Sequence, residues 1–436
     1  MRRFFVQNFG CRATQADGAA LEGLLRQRGL EDAAHPREAD LVIVNTCTVT
    51  AAADEDARKA IHRLHRENPA ARIVVTGCYA QRAPEEVARV PGVSLVVGNS
   101  HKSDVGVWLG SLEGREEYHG EILVGDMARQ ASFLSAPVED ASGDRTRPNL
   151  KIQDGCNNPC AFCIIPSVRG PSRSMPEEEV LRQVRALAGR YAEIVLTGVN
   201  LGRWGRERGF PSGRRLHDLV RRILDETDVR RLRISSVEPM DWTDELLELF
   251  ASSPRIAPHI HMPLQSGSDA VLRRMKRRYR TRHYEDRLLR AARLLPDAAL
   301  GADVMTGFPG ETDAEFQETL EFIARMPFTY LHVFTYSERP GTPAAGMPGR
   351  VAWEARKDRT RQLRRLAAEK NLAFRRRFVG RTLDAVTLDN GKALTGNYLV
   401  VELARPRPAN EIIEVRIGGL TREGVAEAGL LPVIAC

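Results

Sequence analysis

Leu150-Lys151-Ile152-Gln153-Asp154-Gly155-Cys156-Asn157-Asn158-Pro159-Cys160-Ala161-Phe162-Cys163 is the stretch from which the rest of the chain can be read. Its first four residues read as a strand, and its second half is Cys-x3-Cys-x2-Cys. Spacing this tight lets three thiolates from one loop converge on one metal centre. A structural zinc wants a fourth ligand, usually Cys or His at a short spacing, and none follows nearby. Three thiolates suit a four-iron cluster whose fourth iron is left open for an external ligand, which implies chemistry rather than scaffolding.

Towards the amino terminus, Cys11, Cys47 and Cys78 share a local context. Each follows an apolar run: Phe4-Phe5-Val6-Gln7-Asn8-Phe9, Leu41-Val42-Ile43-Val44-Asn45-Thr46 and Ile73-Val74-Val75-Thr76-Gly77. Each precedes a segment of helical composition, around 14–28, 53–66 and 84–89. Strands alternating with helices argue a parallel sheet, and residues just past its strand ends lie along the edge where open α/β sheets bind ligands. These three cysteines are either packing residues or a second three-thiolate site.

Towards the carboxyl terminus the rhythm repeats. Strands are expected at 150–153, 193–197, 231–235, 258–262, 299–305 and 330–335. Helices fall near 176–190, 216–226, 243–251, 269–294 and 313–325, with a last one after 353. Six βα units are too few for a closed eight-fold barrel, and in an open one the loops after the strands carry the chemistry. Those loops hold Gly198 and Asn200, then Ser236 and Glu238, then Gln265, and Gly307 to Thr312. Ser268 and Thr312 also sit where helix N-caps would. After 377 come short alternating runs with turn signals at Asp389-Asn390-Gly391 and Gly418-Gly419, the pattern of a small β-barrel.

The expected fold is therefore α/β. An N-terminal parallel α/β sheet domain spans 1–129, a linker 130–147, a central partial (βα)6 barrel 148–372, and a small C-terminal β-barrel 373–436. A length of 436 residues agrees with about three domains at roughly 150 residues each. With 42% hydrophobic and 28% charged residues, a wholly disordered or collagen-like chain is excluded. Seven cysteines, an odd number in a long chain without a recognisable leader, argue for metal chemistry rather than disulfides and for a cytoplasmic protein. No stretch is apolar enough for a membrane span. Net charge is 64 − 57 = +7. Residues 353–377 hold ten bases against three acids, and 273–282 hold seven bases and no acid. Each run fits either a polyanionic partner or a solvated helix face.

Taken together, these residues resemble the radical S-adenosylmethionine enzymes through Cys156, Cys160 and Cys163. The resemblance is closer to the methylthiotransferases, through Cys11, Cys47 and Cys78, the run from Gly155 to Pro166-Ser167-Val168-Arg169-Gly170, and Pro263-Leu264-Gln265-Ser266-Gly267-Ser268. Lys151 to Asn158 and Leu196 to Gly202 look most like the MtaB-type branch, which acts on N6-threonylcarbamoyladenosine beside the tRNA anticodon. The resemblance implies two [4Fe-4S] clusters. Cys156, Cys160 and Cys163 would be catalytic, holding a radical cluster that cleaves S-adenosyl-L-methionine. Cys11, Cys47 and Cys78 would hold an auxiliary cluster carrying the sulfur to be inserted. A first S-adenosylmethionine would methylate that sulfur and a second would give the 5′-deoxyadenosyl radical that activates the adenine. Gly198, Asn200, Ser236, Glu238 and Gln265 are the candidate S-adenosylmethionine contacts. The implied partners are tRNA and an external one-electron reductant of flavodoxin or ferredoxin type.

Within that resemblance the last domain looks like a TRAM module, in which Arg381, Asn397, Arg405 and Arg407 would meet phosphates. The Gly- and Arg-rich loop 203–215 is either flexible or an RNA contact, and Cys436 has no expected role. Rival readings are the sister branches, which act on isopentenyladenosine in tRNA or on an aspartate of ribosomal protein S12. More remote are a radical enzyme using the N-terminal cluster only for electron transfer, and a non-catalytic RNA-binding protein with structural zinc.

Overall fold

A computed structural model of the chain describes residues 1–112, 120–129, 146–207, 210 and 213–429. Cys436 and nearly all of the expected linker lie outside the described residues, as does part of the loop 203–215. Six parallel strands form the N-terminal sheet, in the order Glu31–Asp32, Arg3–Asn8, Leu41–Thr46, Arg72–Gly77, Val93–Val97, Glu121–Leu123. Alternation sends Leu41 and Ile43 to one face, against Leu21 and Leu25 of helix Arg12–Arg26. Val42 and Val44 face the other, against Ile61 and Leu64 of helix Ala51–Glu67. Both faces are covered, which is why these strands read as continuous apolar runs. From Arg3–Asn8 the chain first goes to one side and then returns to the other with Leu41–Thr46. Cys11 and Cys47 flank that topological switch point, the place where open α/β sheets take ligands.

The central domain places Leu232–Ile234, Ile194–Gly198 and Asn149–Asp154 in one parallel set, and His259–His261, Ala299–Thr306 and Tyr330–Thr335 in another. A parallel bridge between Leu232 and Ile256, and a 3.1 Å bond from the Val237 amide to the His261 carbonyl, join the two sets into an open barrel. A short strand, Arg173–Ser174, adds antiparallel to the edge, which the βα rhythm did not foretell. The single helix expected over 269–294 is two, Asp269–Arg274 and Thr281–Leu294. Lys276, at φ 55°, breaks them. Thr312 caps its helix as expected, in a capping box with Glu315. Ser268 holds the N-cap position of its helix without a side-chain cap bond.

Thr382–Thr387, Lys392–Thr395, Val400–Glu402, Val425–Glu427 and Ile412–Leu420 close into the C-terminal barrel. The 24-residue helix Trp353–Arg376 leads into it; Lys357, Arg361, Arg364, Arg365 and Arg376 stay exposed, while other bases of the helix are spent inside the molecule. Arg359 pairs with Glu311 (2.7 Å) and Asp313 (2.6 Å), Lys370 caps the carbonyls of Ala324 and Met326, and Arg375 those of Thr421 and Gly424. In the run 273–282, Arg274 pairs with Glu315 and Arg280 bonds the carbonyls of Arg277 and Tyr279. These arginines and this lysine act as internal struts more than as a surface for a polyanion. Three of the four residues proposed for phosphates are also engaged. Arg381 pairs with Asp297 (2.5 Å), Arg407 with Glu427, and Asn397 is buried against the Asp297 carbonyl. Arg405 is exposed.

Candidate active site

A cavity of about 750 Å³ opens where the three sheets meet. One wall carries Cys11, Cys47 and Cys78, and another carries Gly198, Asn200, Ser236 and Glu238. Cys47 and Cys78 are buried and Cys11 is exposed. The first set is assembled by close approach of the strand ends: Gly10 lies at φ 90°, and a Cβ there would come within 2.7 Å of the Cys47 sulfur. Burial pushes the Cys47 thiol up to about 12, and the neighbouring Cys11 and Cys78 add to the rise. In the second set, burial pushes Cys163 up to about 12 and raises Cys156. Without metal, Cys47, Cys156 and Cys163 keep their protons at neutral pH, and a metal group that binds must displace them.

Two buried arginines bind these sets. Arg277 stands in the break between the two helices, donates to the Cys160 sulfur at 3.2 Å, and pairs with Glu238 at 2.6 Å. Arg169 donates through Nε to the Cys78 sulfur at 3.3 Å. Its other nitrogens bond Asp154 at 3.0 Å and Asp17 at 2.9 Å. Lys151 and Lys102 close the network on Asp17. Burial alone would raise the carboxyls of Asp17 and Asp154. Lys102 and Lys151 on Asp17, and Lys151 and Arg169 on Asp154, instead hold both well below the usual carboxylate range. Asn200 donates to the Cys156 sulfur at 3.4 Å, and its amide is fixed by the buried Gln153 side chain at 2.6 Å. Cationic and amide donors around thiols suit an anionic iron–sulfur group. Among the described residues, no three His, Cys, Asp or Glu side chains meet where one metal ion would sit. The first set borders a wider space, as a polynuclear group needs.

Of the candidate S-adenosylmethionine contacts, Gly198, Asn200, Ser236 and Glu238 share the cavity, and Gln265 is not among its lining residues. Gln265 sits at φ 66° with its backbone bridged to Val304. The described part of loop 203–215 pairs inward, Arg203 and Arg206 meeting Asp241 at 3.0 and 3.3 Å. Sequence reasoning missed the polar wall opposite. There the Tyr330 hydroxyl lies 2.7 Å from His259 Nε2 and 2.9 Å from His261 Nδ1, and His261 reaches Asp303 at 3.2 Å. In register, Gly301 lies between His261 and Tyr330. A Cβ on Gly301 would fall 1.9 Å from the Tyr330 ring. Period-two spacing of His259 and His261 was the available signal. Arg277 was hidden in its basic run.

The Radical SAM superfamily profile matches residues 150–323, and the "Uncharacterized protein family UPF0004" profile matches 3–98. The chain is 36% identical to the threonylcarbamoyladenosine tRNA methylthiotransferase MtaB of Aquifex aeolicus, over 94% of this chain and 99% of that protein. It belongs to the radical S-adenosylmethionine methylthiotransferase family. Identity to the MtaB of Bacillus subtilis is 41%, over 81% of this chain and 78% of that protein. A tRNA-2-methylthio-N(6)-dimethylallyladenosine synthase of Parafrankia sp. is 36% identical over 89% of this chain and 78% of that one. In fold the chain is similar to the radical S-adenosylmethionine methyltransferase TsrM of Kitasatospora setae, with TM-score 0.60 at 16% identity, covering 79% of this chain and 75% of that one. As a member of this family it is a radical S-adenosylmethionine methylthiotransferase, an enzyme class that implies S-adenosylmethionine and a [4Fe-4S] cluster. No helix among the described residues is long and apolar enough to cross a membrane.

Proposed function

We propose that the protein inserts a methylthio group into N6-threonylcarbamoyladenosine beside the anticodon of tRNA. Cys156, Cys160 and Cys163 hold a radical [4Fe-4S] cluster, and Cys11, Cys47 and Cys78 hold an auxiliary one. The observation that carries this reading is the shared cavity: the first thiol set lines it, and Asn200 and Glu238 connect it to Cys156 and, through Arg277, to Cys160. Relatives across nearly the full chain are named for this nucleoside.

When bound, the cofactors supply the one-electron chemistry and the methyl group that side chains cannot. The chain's own residues hold and orient. Gly198, Asn200, Ser236 and Glu238 bind S-adenosylmethionine, Glu238 being aimed by its pairing with Arg277. Arg169 ties the N-terminal sheet to the barrel and so fixes the distance between the two sulfur sets. Packing of the three domains around the cavity restricts water. The C-terminal barrel, TRAM-like, contacts RNA with Arg405 on its exposed side, and a flavodoxin- or ferredoxin-type protein delivers the electron.

The test is anaerobic incubation of reconstituted protein, reductant and S-adenosylmethionine with threonylcarbamoylated tRNA, followed by mass spectrometry of the nucleosides. A methylthio group on threonylcarbamoyladenosine is expected. Its absence while 5′-deoxyadenosine accumulates would reject this substrate and turn attention to isopentenylated tRNA and ribosomal protein S12.

A further inference from the structure

One corner of the cavity is built from all three domains. Arg12 begins the helix after the first strand, His259 and Tyr330 belong to barrel strands, and Tyr398 enters from the C-terminal barrel. Tyr398 is held in place. Its backbone is in the left-handed region at φ 67°, and its ring stacks on His259 at 4.3 Å between centroids and 20° between planes. The Arg233 guanidinium lies over the same ring at 5.3 Å, itself fixed by Glu193 and the Thr395 and Gly396 carbonyls.

Against this anchor, Arg12 uses half of its fork. One terminal nitrogen, Nη2, donates to the Tyr398 hydroxyl at 3.2 Å. The other, Nη1, is buried with no hydrogen-bond partner. A buried cationic donor without an acceptor is costly, so a structure that keeps one beside a cavity invites an anionic acceptor from outside the chain. The surroundings are electropositive. Burial would raise the Tyr398 phenol, yet Arg12 and Arg233 hold it below its usual range. Burial, then Arg233 and Arg12, keep His259 neutral. The Asp303 carboxylate is engaged by His261, and Glu193 by Arg233, so neither serves Arg12.

We propose that Arg12 recognises the carboxylate of the amino-acid group carried by the substrate adenosine, with Tyr398 as its positioning residue. This rests on the tRNA reading given above and names the residue that separates a carboxylate-bearing adenosine from one bearing a hydrocarbon. A planar fork with one arm pinned and one arm free presents a directed N–H to a carboxylate oxygen. An isopentenyl group in the same corner would bury the free arm against carbon and leave it unsatisfied. A backbone phosphate asks for the same donors, and the substrate comparison below distinguishes it.

The experiment uses the anaerobically reconstituted holoenzyme and anticodon stem-loops of one sequence. Their central adenosine carries either the threonylcarbamoyl group or its carboxamide analogue, in which the charge alone is removed. The protein should bind the carboxylate form at least tenfold more tightly, as a charge-assisted bond predicts. In Arg12→Gln this ratio should fall to about one, and in Tyr398→Phe to an intermediate value. Iron and sulfide content and the visible absorption of the variants establish that the neighbouring Cys11 site is loaded. Equal binding of the two RNAs by the unaltered protein overturns the proposal, as expected of a phosphate contact, and so does a full preference retained in Arg12→Gln. If the unaltered enzyme methylthiolates the carboxylate stem-loop while Arg12→Gln keeps the preference, only this assignment fails. If it modifies isopentenyladenosine and never the carboxylate form, the substrate reading and the assignment fall together.

Discussion

The two cysteine sets reach one site by different physical routes: Cys11, Cys47 and Cys78 line the cavity, whereas Cys156 and Cys160 are tied to its lining through Asn200 and the Arg277–Glu238 pair. Cys156, Cys160 and Cys163 belong to one loop, and the Cys163 amide bonds the Cys160 carbonyl at 3.1 Å, so local geometry holds them close. Cys11, Cys47 and Cys78 stand at three strand ends and meet only because the sheet is in register, Phe4 opposite Leu41 and Leu41 opposite Arg72. The first is a local site and the second an assembled one. A local site tolerates disturbance elsewhere in the chain; an assembled site fails with the sheet that builds it.

The largest effects should divide the two sets by step. Cys160→Ala should abolish 5′-deoxyadenosine formation, a loss above about 1,000-fold, whereas Cys47→Ala should still cleave S-adenosylmethionine and lose methylthio transfer. Nucleoside and 5′-deoxyadenosine analysis of the same reactions would read both, and methylthiolation by Cys47→Ala would break the division.

Next come the arginines. Loss of a group that bonds a metal ligand typically costs roughly 10–100-fold in activity or metal affinity. Arg277→Met should lose it in S-adenosylmethionine cleavage, and Arg169→Met in methylthio transfer. Arg169→Met should in addition leave the buried carboxylates of Asp154 and Asp17 to Lys151 and Lys102, at about 1–3 kcal/mol, seen as a lower unfolding temperature. Equal defects in both steps for either variant would merge the two sites into one unit.

A backbone change should touch only the assembled site. At Gly10 the positive φ and the Cys47 contact make Gly10→Ala costly, on the order of 1–3 kcal/mol, and roughly half the iron should fail to load. Gly189→Ala, with open space around it, is the matched control. Full iron content in Gly10→Ala would show that the strand ends yield more easily than the geometry implies.

The smallest effect concerns pH. Asp17 and Asp154 have depressed native values against an ordinary value of 3.8. Their contribution is therefore complete above that value and is lost as the pH falls below it. Unfolding temperature should vary little through these groups from pH 8 to 5 and drop below about pH 4. A replacement Asp17→Asn should lower stability at neutral pH and flatten the acid limb. An unchanged acid limb would place the sensitivity elsewhere.

The same contrast explains what could be read from sequence. The triplet was legible because its chemistry is contiguous. The strand-end cysteines were legible because Leu41 to Thr46 and Ile73 to Gly77 are apolar runs that only a covered parallel strand uses. Arg277 was not, since seven bases in ten residues look like a surface until Lys276 turns the chain and delivers one of them to Cys160. Nor was the corner of Arg12, His259 and Tyr398, whose members come from three domains and touch through tertiary packing alone. Gln265 looked like a contact because of its loop; it is not among the residues that line the cavity, and what the structure adds is its positive φ and its backbone bridge to Val304.

Gly301 carries a last consequence. It has no group to donate, accept or titrate, yet its vacancy above the strand is where the Tyr330 ring lies. Selection for enzymes with altered nucleoside preference should recover Gly301 substitutions alongside polar ones. A single methyl there would tilt the phenol, unseat two imidazoles and reshape the chamber, changing what is admitted without changing one charge.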